Sequence, residues 1–427
     1  MAAAAAASRP LPPAPVFSAA RATRVDWQLF DSTILMGEVT DPAAACAASN
    51  GGEVRVSLRL AKPPASSYVE MHIDAELYDK PTVLSADGDL LLIHTVLAVR
   101  DPPPCSYQDN FFVYREHPAK APPSLQLLPQ FGEWGCRAVH TGISCRDGEF
   151  VVAAFHTDIV GGGEGTASWG EAEDGASWDE VGVLSRFSSS TGQWEVKELP
   201  IPFDSCEALY PFTWHTDKVF SLRGFTCWVD YHRGILYCDA FSDLPELRFV
   251  QLPGIEIWDD LHDYSYGRQK PVAYRTVEVS EGIVKFVDVD NGQFGLKKRS
   301  GFSVTSWTLR SPELEWEKDG VLQVDDLWSL EKFRDSPLPR WVPEFPVVNK
   351  HDSDVLHFVL RGARSSAKAW VISVSMRQKV LKSYMPYTND YTDLPKEEED
   401  LDLTSLFFDS PFICADLYKD QEMLMDN

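Results

Sequence analysis

The stretch Cys227–Asp239, CWVDYHRGILYCD, predicts a β-hairpin. Two runs of β-forming residues, Phe225–Asp230 and Ile235–Asp239, flank a short polar turn that ends in glycine, which is typical of a tight connection between antiparallel strands. The turn residues His232 and Arg233 are expected to face solvent. This hairpin is the clearest single indication of an all-β fold, because several other segments of the chain resemble it.

The register of this hairpin depends on the length of its loop. A symmetric loop of two or four residues places Trp228 opposite Tyr237 and Cys227 opposite Cys238. A three-residue loop, which Gly234 also permits, moves every pair by one position. In the symmetric register the two thiols become neighbours and either remain buried and reduced or form a cross-strand disulfide.

Strongly apolar runs that follow a turn recur along the chain. Each is short, and each leads through a second strand and a polar turn towards a further strand. These runs are ADGDLLLIHT (86–95), RDGEFVVAAF (146–155), HRGILYCDAF (232–241), SEGIVKFVDV (280–289) and DSDVLHFVLR (352–361). Several units end in Leu-Pro, at Pro129, Pro200 and Pro253.

Units of about 45–55 residues built from short antiparallel strands are typical of a kelch-like β-propeller. Such a sheet cannot bury both faces alone, so the sheets are expected to stack around an axis. The sequence predicts about six blades, with strands within 24–74 in the first blade and a strand within 406–419 that closes the ring. Stacked antiparallel sheets, as in a β-sandwich, are the alternative.

We predict a single propeller-like domain over residues 26–420. Residues 1–25 read as a disordered Ala/Pro-rich leader, although three arginines without an acid also resemble an organellar transit peptide. Within the domain, the acidic and glycine-rich segment 161–180 and the acidic stretch 393–402 are predicted to be loop insertions. Residues 421–427 form a tail.

The composition is acidic, with 64 Asp and Glu residues against 39 Lys and Arg and a net charge of −25. Such a surface repels phosphate backbones, so we expect no nucleic-acid partner. The eight cysteines contain no Cys-x-x-Cys pair, which indicates reduced thiols and no zinc ribbon. No apolar run is long enough to span a bilayer. We therefore expect an intracellular protein, cytoplasmic or nuclear, with plastid or mitochondrial targeting as the alternative.

The hairpin region also carries a resemblance to a known family. WVDYHRGILYCDAFSDLPELRFVQLP resembles the signature of the plant domain-of-unknown-function family 1618 (DUF1618), which is expanded in grasses. The structural positions of the motif are Trp228, Asp230, Gly234, Cys238, Asp239 and Pro253. The segments VSLRLAKPPASSYVEMHI and GFSVTSWTLRSPELEWEKDGVLQVDDLW are also similar to this family, so that the resemblance covers most of residues 25–390.

The resemblance implies a fold more than a reaction. The family has no established catalytic residues, and its members resemble F-box-associated and kelch-type propellers, which are recognition modules. It therefore implies a protein-binding role in a plant cell.

Signatures of common chemistry are absent from the sequence. It contains no P-loop, no G-x-S-x-G elbow and no H-E-x-x-H helix. The triplet His-Thr-Asp occurs at 156–158 and at 215–217, where it reads as strand-end residues or, alternatively, as part of a catalytic or metal site. An enzyme with a site in the central opening would bring five side chains into one pocket. These are His156, Asp158, His215, Asp217 and His232.

The segment IWDDLHDYSYG (257–267) is the best candidate for a contact surface. Aromatic and acidic residues alternate there directly after a strand end, a pattern that suits a basic or aromatic partner. The candidate residues are Trp258, Asp259, Asp260, Asp263, Tyr264 and Tyr266. Packing of these rings against a neighbouring sheet is the alternative. The other conspicuous tryptophans are expected in cores between sheets: Trp194, Trp307, Trp316, Trp328, Trp341 and Trp370.

Together these patterns favour a non-catalytic protein-interaction module without a cofactor or a metal. The alternative is an enzyme, or a protein that binds a small ligand or carbohydrate in the central opening.

Overall fold

The computed structural model of the chain describes residues 27–99, 106–117, 121–131, 138–160, 179–202, 214–255, 271–290, 302–310, 314–361, 369–387 and 412–417. Within these ranges the chain forms 26 β-strands, two short α-helices, α1 (Val324–Ser329) and α2 (Glu331–Arg334), and two 3-10 helices, Ala138–His140 and Pro271–Ala273. The predicted all-β fold is confirmed. Among the helices of the described part of the chain, none has the length and apolar character that a membrane crossing requires.

Twenty-four of the strands form six four-stranded sheets, which we number in chain order. Sheet 1 contains β2 (Leu35–Met36), β3 (Ala44–Ala47), β4 (Glu53–Arg59) and β5 (Tyr68–Ile73). Sheet 2 contains β6 (Thr82–Asp87), β7 (Leu90–Val99), β8 (Ser106–Arg115) and β9 (Ser124–Leu127). Sheet 3 contains β10 (Thr141–Arg146), β11 (Glu149–Val160), β12 (Asp179–Ser188) and β13 (Gln193–Pro200).

The second half of the chain repeats this arrangement. Sheet 4 contains β14 (Lys218–Leu222), β15 (Phe225–Asp230), β16 (Gly234–Asp239) and β17 (Arg248–Gln251). Sheet 5 contains β18 (Arg275–Ser280), β19 (Ile283–Asp290), β20 (Ser303–Arg310) and β21 (Glu315–Gln323). Sheet 6 contains β22 (Glu344–Val348), β23 (Val355–Arg361), β24 (Ala369–Ser375) and β25 (Val380–Tyr387).

Sheets 2 to 6 are antiparallel meanders in which each strand pairs with the next one in sequence. Sheet 1 has the order β2-β5-β4-β3, and β2 runs parallel to β5. The remaining two strands, β1 (Gln28–Asp31) and β26 (Phe412–Ala415), pair antiparallel and join the two ends of the described chain. We call them the terminal pair, and β26 lies within the segment where the sequence predicts a final strand.

The first hairpins of sheets 3, 4 and 5 share one turn geometry. Each connects its strands through a residue with φ between 52° and 54° followed by a glycine with φ between 74° and 84°. The turns are Asp147-Gly148, Arg223-Gly224 and Glu281-Gly282. Two successive residues with positive φ match the twist of a two-residue hairpin, and glycine adopts that conformation without strain. The hairpin β14–β15 is therefore the equivalent of the others, and HRGILYCDAF forms the third strand of its sheet instead of the second.

The predicted Leu-Pro ends fall at the fourth strand in three successive sheets. Pro200 ends β13, while Pro129 and Pro253 follow two residues after β9 and β17. Two tryptophans form hydrogen bonds to these strand ends. The indole N–H of Trp194 in β13 donates to the Pro129 carbonyl oxygen at 2.8 Å, and that of Trp316 in β21 donates to the Gln251 carbonyl oxygen at 2.8 Å. In both cases the fourth strand of one sheet is tied to the end of the fourth strand before it.

The tryptophan prediction fails at one position. Trp341 is 52% exposed, because it lies in the proline-rich connection between α2 and β22, outside any strand. Trp194, Trp307, Trp316 and Trp370 lie on strands and are half-buried.

Apolar side chains form six buried clusters, and each cluster joins two neighbouring layers. Five of them lie between sheets 1 and 2, 2 and 3, 3 and 4, 4 and 5, and 5 and 6. The sixth lies between sheet 6 and the terminal pair. Because alternate residues of a strand point to opposite faces, one strand serves two clusters. Leu90 and Leu92 of β7 face sheet 3, whereas Leu91 and Ile93 face sheet 1.

First strands of successive sheets approach each other closely. The Ser85 hydroxyl of β6 accepts the Ile143 N–H of β10 at 2.9 Å. The Asp87 carboxylate accepts the Cys145 N–H and the Ser221 hydroxyl, both at 2.7 Å, and thereby joins β6 to β10 and β14. Polar side chains of one first strand thus satisfy backbone and hydroxyl groups of the next two sheets.

Several predicted segments lie outside the described residues. They are the leader 1–25, most of the insertion 161–180, the loop 393–402 and the tail 421–427. Asp179 and Glu180, at the end of the insertion, belong to β12. The single domain over 26–420 stays a prediction.

Candidate functional site

The motif hairpin has a three-residue loop. Asp230 pairs with Gly234, so that Cys227 lies opposite Tyr237 and Thr226 opposite Cys238. The symmetric register is therefore wrong, and so are the facing pairs that it predicts. A one-residue shift exchanges the neighbours of every side chain across the ladder. Tyr237 packs instead against Phe225, with 6.0 Å between the ring centroids.

Close packing at Gly234 accounts for this register. A Cβ atom there would lie 2.4 Å from the Val250 carbonyl oxygen and 2.5 Å from the ring of Phe249. Only glycine allows β17 to approach the start of β16 so closely. The Arg233 N–H then donates to the Asp230 carbonyl oxygen at 2.9 Å and closes the turn.

The Asp230 carboxylate organises the loop. Its side chain is fully buried, and it accepts the N–H of His232 and the N–H of His215, both at 2.9 Å. The Asp217 carboxylate accepts the Tyr231 N–H at 2.9 Å. Two aspartates therefore fix the loop and the segment before β14 through backbone donors, as buried carboxylates require.

The turn does not face solvent as a whole. Arg233 is buried and Tyr231 is almost completely buried, so the expected exposure is wrong for Arg233, while His232 is half-buried. Tyr231 reaches into sheet 5, where its hydroxyl accepts the Val277 N–H at 3.3 Å and its carbonyl oxygen accepts an Arg275 N–H at 2.7 Å. The loop therefore connects sheets 4 and 5 through hydrogen bonds.

The two motif cysteines are packed thiols on opposite faces of sheet 4. Cys227 belongs to the cluster shared with sheet 5, and Cys238 to the cluster shared with sheet 3. Both are free, so the disulfide alternative is wrong and the buried reduced state is confirmed. Burial raises the pKa of the Cys238 thiol to about 12 and that of Cys227 well above its usual value. Such thiols remain protonated and unreactive at neutral pH.

The five residues of the enzyme alternative lie in or beside two neighbouring sheets, 3 and 4. The backbone N–H groups of His215 and His232 donate to Asp230, and His215 Nδ1 lies 3.4 Å from Asp217 Oδ1. His156 and Asp158 are exposed on β11 of sheet 3. The described residues contain no group of three His, Cys, Asp or Glu side chains placed to hold a metal ion.

A cluster of opposite charges forms where four elements meet, and we call it the first-strand ion cluster. Lys218 of β14 pairs with Glu278 of β18. Lys350, two residues after β22, lies 3.3 Å from Asp416, which directly follows β26. His351 Nε2 lies 3.1 Å from the other oxygen of Asp416. Local sequence patterns do not predict this cluster, because its partners are far apart in the chain.

Electrostatics within this cluster favour paired charges. Burial alone would lower the pKa of Lys218, but the Glu278 carboxylate, together with Tyr231 and Cys414, outweighs burial and raises that pKa. The pKa of Lys350 is raised in the same way, with Asp416 as the main charge that opposes burial. Burial and the Glu278 charge raise the pKa of Cys414, which stands among these groups, well above its usual value. The cluster therefore combines two neutralised ion pairs with a protonated thiol.

An exposed pair of tyrosines is a second feature absent from the sequence-based predictions. Residues 76–78 extend sheet 2 beside β7, through the N–H of Tyr78 to the Val96 carbonyl oxygen at 2.8 Å and the Ala98 N–H to the Glu76 carbonyl oxygen at 2.9 Å. Tyr78 and Tyr107 stack on the outer face, 5.4 Å apart at 22°, and are 63% and 61% exposed. The alternation of Leu77 with exposed neighbours is the signal that indicates this short strand.

The aromatic and acidic segment 257–267 lies outside the described residues. The role of Trp258, Asp259, Asp260, Asp263, Tyr264 and Tyr266 in partner binding stays a prediction. Within the described residues, the tyrosine pair is the comparable aromatic surface.

Comparison with known proteins identifies the family resemblance and little else. The model of the family described as "Protein of unknown function (DUF1618)" matches residues 228–357, which run from β15 into β23. This match confirms the resemblance over that part of the chain. No curated protein matches the chain significantly.

One solved structure, a single-residue variant of the apocarotenoid oxygenase from Synechocystis, is 10% identical with a TM-score of 0.21. The alignment covers 83% of this chain and 59% of that protein. A likeness this weak carries no conclusion about fold or function.

Proposed function

We propose that the six sheets are the blades of a six-bladed β-propeller, closed by the terminal pair. The observation that carries this proposal is the cyclic order of the buried clusters. Each sheet shares a core with the next, and sheet 6 shares one with the terminal pair. An open stack of sheets would leave its first and last faces uncovered, whereas a ring covers every face.

Strand β1 supports closure because it contacts both neighbours. The Asp31 N–H donates to the Ser67 carbonyl oxygen at 2.8 Å, and the Ser67 N–H donates to the Leu29 carbonyl oxygen at 2.7 Å, so β1 runs beside the start of β5. Phe30 points into the cluster of sheets 1 and 2, while Leu29 points into the cluster of sheet 6. Strands β1 and β2 follow one another along the same edge of β5, so the first blade has β26 beside β1, then β1 and β2, then β5, β4 and β3. Its innermost strand comes from the C-terminal part of the chain.

On this scaffold we propose a non-catalytic protein-recognition module. Propeller blades are rigid and present loops and edges at their rims, which suits binding of another protein. The charged groups where the first strands meet give little support to the enzyme alternative. Lys218, Glu278, Lys350 and Asp416 neutralise one another, and the Cys414 thiol is held protonated, so neither a free base nor an activated nucleophile stands there.

Proximity labelling of the full-length chain in cells tests this function. A recognition module is expected to label a reproducible partner, and the labelling is expected to fall on deletion of 257–267 or on loss of both Tyr78 and Tyr107 rings. The substitution Leu244→Ser is a matched control, because Leu244 is 85% exposed in the connection between β16 and β17. Recovery of chaperones alone would contradict the proposal.

A further inference from the structure

The stacked tyrosines form part of a flat three-stranded surface, which we call the tyrosine platform. It consists of 76–78, 96–98 and 107–109. Leu77 pairs with Leu97, and both point inward to the cluster of sheets 1 and 2. The residues directly before and after Leu77 and Leu97 point to the opposite, outward face, because side chains alternate along a strand. The outward set comprises Glu76, Tyr78, Val96, Ala98, Tyr107 and Asp109.

Two observations distinguish this platform from an ordinary solvated face. First, both tyrosines are more than 60% exposed although their rings stack on each other, so that aromatic surface remains open to solvent. Secondly, the small side chains of Val96 and Ala98 lie between the two tyrosine-bearing strands, which leaves a shallow apolar floor. Exposed aromatic surface of this kind is enriched in recognition sites.

Carboxylates lie on or next to the strands that carry the rings. Glu76 and Asp79 are exposed, and the Asp109 side chain is 32% exposed while it hydrogen-bonds His94 at 2.7 Å. One basic residue, Lys80, lies near them in sequence. The local charge therefore has the same sign as the net charge of −25.

We propose that the tyrosine platform binds an arginine-bearing peptide segment of a protein partner. A guanidinium group is planar and stacks on an aromatic ring, where the electron-rich face attracts its charge. A carboxylate beside the ring accepts the N–H groups at the edge of the guanidinium. The platform supplies both, and the overall negative charge steers a basic segment towards it. This inference rests on the proposed function and names the class of partner.

The test uses the full-length chain and two fluorescein-labelled probe peptides of equal length and charge, one with Arg-Gly repeats and one with Lys-Gly repeats. At physiological salt we expect the arginine peptide to bind more tightly than the lysine peptide. The double substitution Tyr78→Ser and Tyr107→Ser leaves the charge unchanged and is expected to weaken arginine-peptide binding at least about fivefold. The double substitution to Phe retains the ring faces and is expected to retain binding.

Fluorescence anisotropy gives the dissociation constants, and Leu244→Ser is again the distant control. Equal affinity for the two peptides, or serine variants that bind like the wild type, would overturn the inference, because charge alone would then explain the binding. Failure here is distinguishable from failure of the proposed function. If proximity labelling depends on 257–267 and is indifferent to the tyrosines, only the platform is wrong, and if no partner is labelled, the function itself is wrong.

Discussion

The hydroxyl group of Tyr387 donates a 2.6 Å hydrogen bond to the carboxylate of Asp31, although the two residues are 356 positions apart in the chain. Asp31 ends β1 and Tyr387 ends β25, so this bond joins the first strand to the last sheet. Both side chains are buried. Burial raises the pKa of Asp31 to about 6, against the Tyr387 and Thr33 donors that favour the ionised form.

This carboxyl group predicts a pH dependence of stability. Because its pKa is higher in the folded than in the unfolded chain, its contribution is complete below pH 4 and is lost as the pH rises through 6. Asp31→Asn removes the titration and keeps an acceptor for Tyr387. We expect the unfolding free energy of Asp31→Asn, relative to wild type, to rise by up to about 3 kcal/mol between pH 4 and pH 7. Urea denaturation at several pH values measures it, and a constant difference would refute the prediction.

A buried histidine of sheet 6 has the opposite effect on the pH dependence of stability. His357 is buried, its Nδ1 lies 2.9 Å from the Ser373 hydroxyl, and its ring packs on Trp27. Burial, and secondarily Lys382, lowers its pKa to about 3. The unfolded chain therefore binds this proton first, and stability falls by about 1.4 kcal/mol per pH unit as the pH drops below 6.5. His357→Asn is expected to lose this slope, which the same titration detects, and an unchanged slope would argue against it.

Glycine at position 234 is expected to be essential for the motif hairpin. An alanine Cβ would press on the Val250 carbonyl oxygen and the Phe249 ring. We expect Gly234→Ala to lower the unfolding free energy by about 1–3 kcal/mol or more. The control is Gly320→Ala in β21, where a Cβ would meet nothing within 4 Å. Equal unfolding free energies for the two variants would show that the close approach is unimportant.

The two indole hydrogen bonds between fourth strands are expected to contribute similarly to the unfolding free energy. Trp194→Phe and Trp316→Phe each remove one hydrogen bond to a carbonyl oxygen of the preceding sheet and retain an aromatic ring. Each is expected to cost about 1 kcal/mol, and the two effects are expected to add because the sites are separate. Thermal or urea unfolding of the single and double variants measures this. A strongly non-additive double variant would be inconsistent with independent joints.

Local sequence patterns predicted much of this fold. Runs such as Leu90-Leu91-Leu92-Ile93 are continuous and apolar because both faces of a strand are buried, and the Leu-Pro ends fall at fourth strands. The number of sheets also follows from the recurrence of these runs.

Those local patterns do not predict contacts between sheets. The register at Asp230 and Gly234 depends on how closely β17 approaches. The local sequence does not show whether the hairpin loop has an odd or an even number of residues. The Lys218–Glu278 pair depends on two sheets meeting. The Tyr78–Tyr107 stack requires a short added strand beside β7. Each of these depends on tertiary contacts between distant segments.

Disulfide trapping tests ring closure most directly. Leu29 in β1 pairs with Cys414 in β26, and directly opposed residues of antiparallel strands have Cα separations compatible with a disulfide. We expect Leu29→Cys to form a disulfide with Cys414 when the chain refolds in a glutathione redox buffer, where both thiols react before they are buried, and peptide mass spectrometry identifies it. The control Phe30→Cys, which pairs with Ile413, is expected to form much less of it. Absence of the Cys414 disulfide in the folded Leu29→Cys protein, or equal yields in the two variants, would contradict a ring closed by β1 and β26.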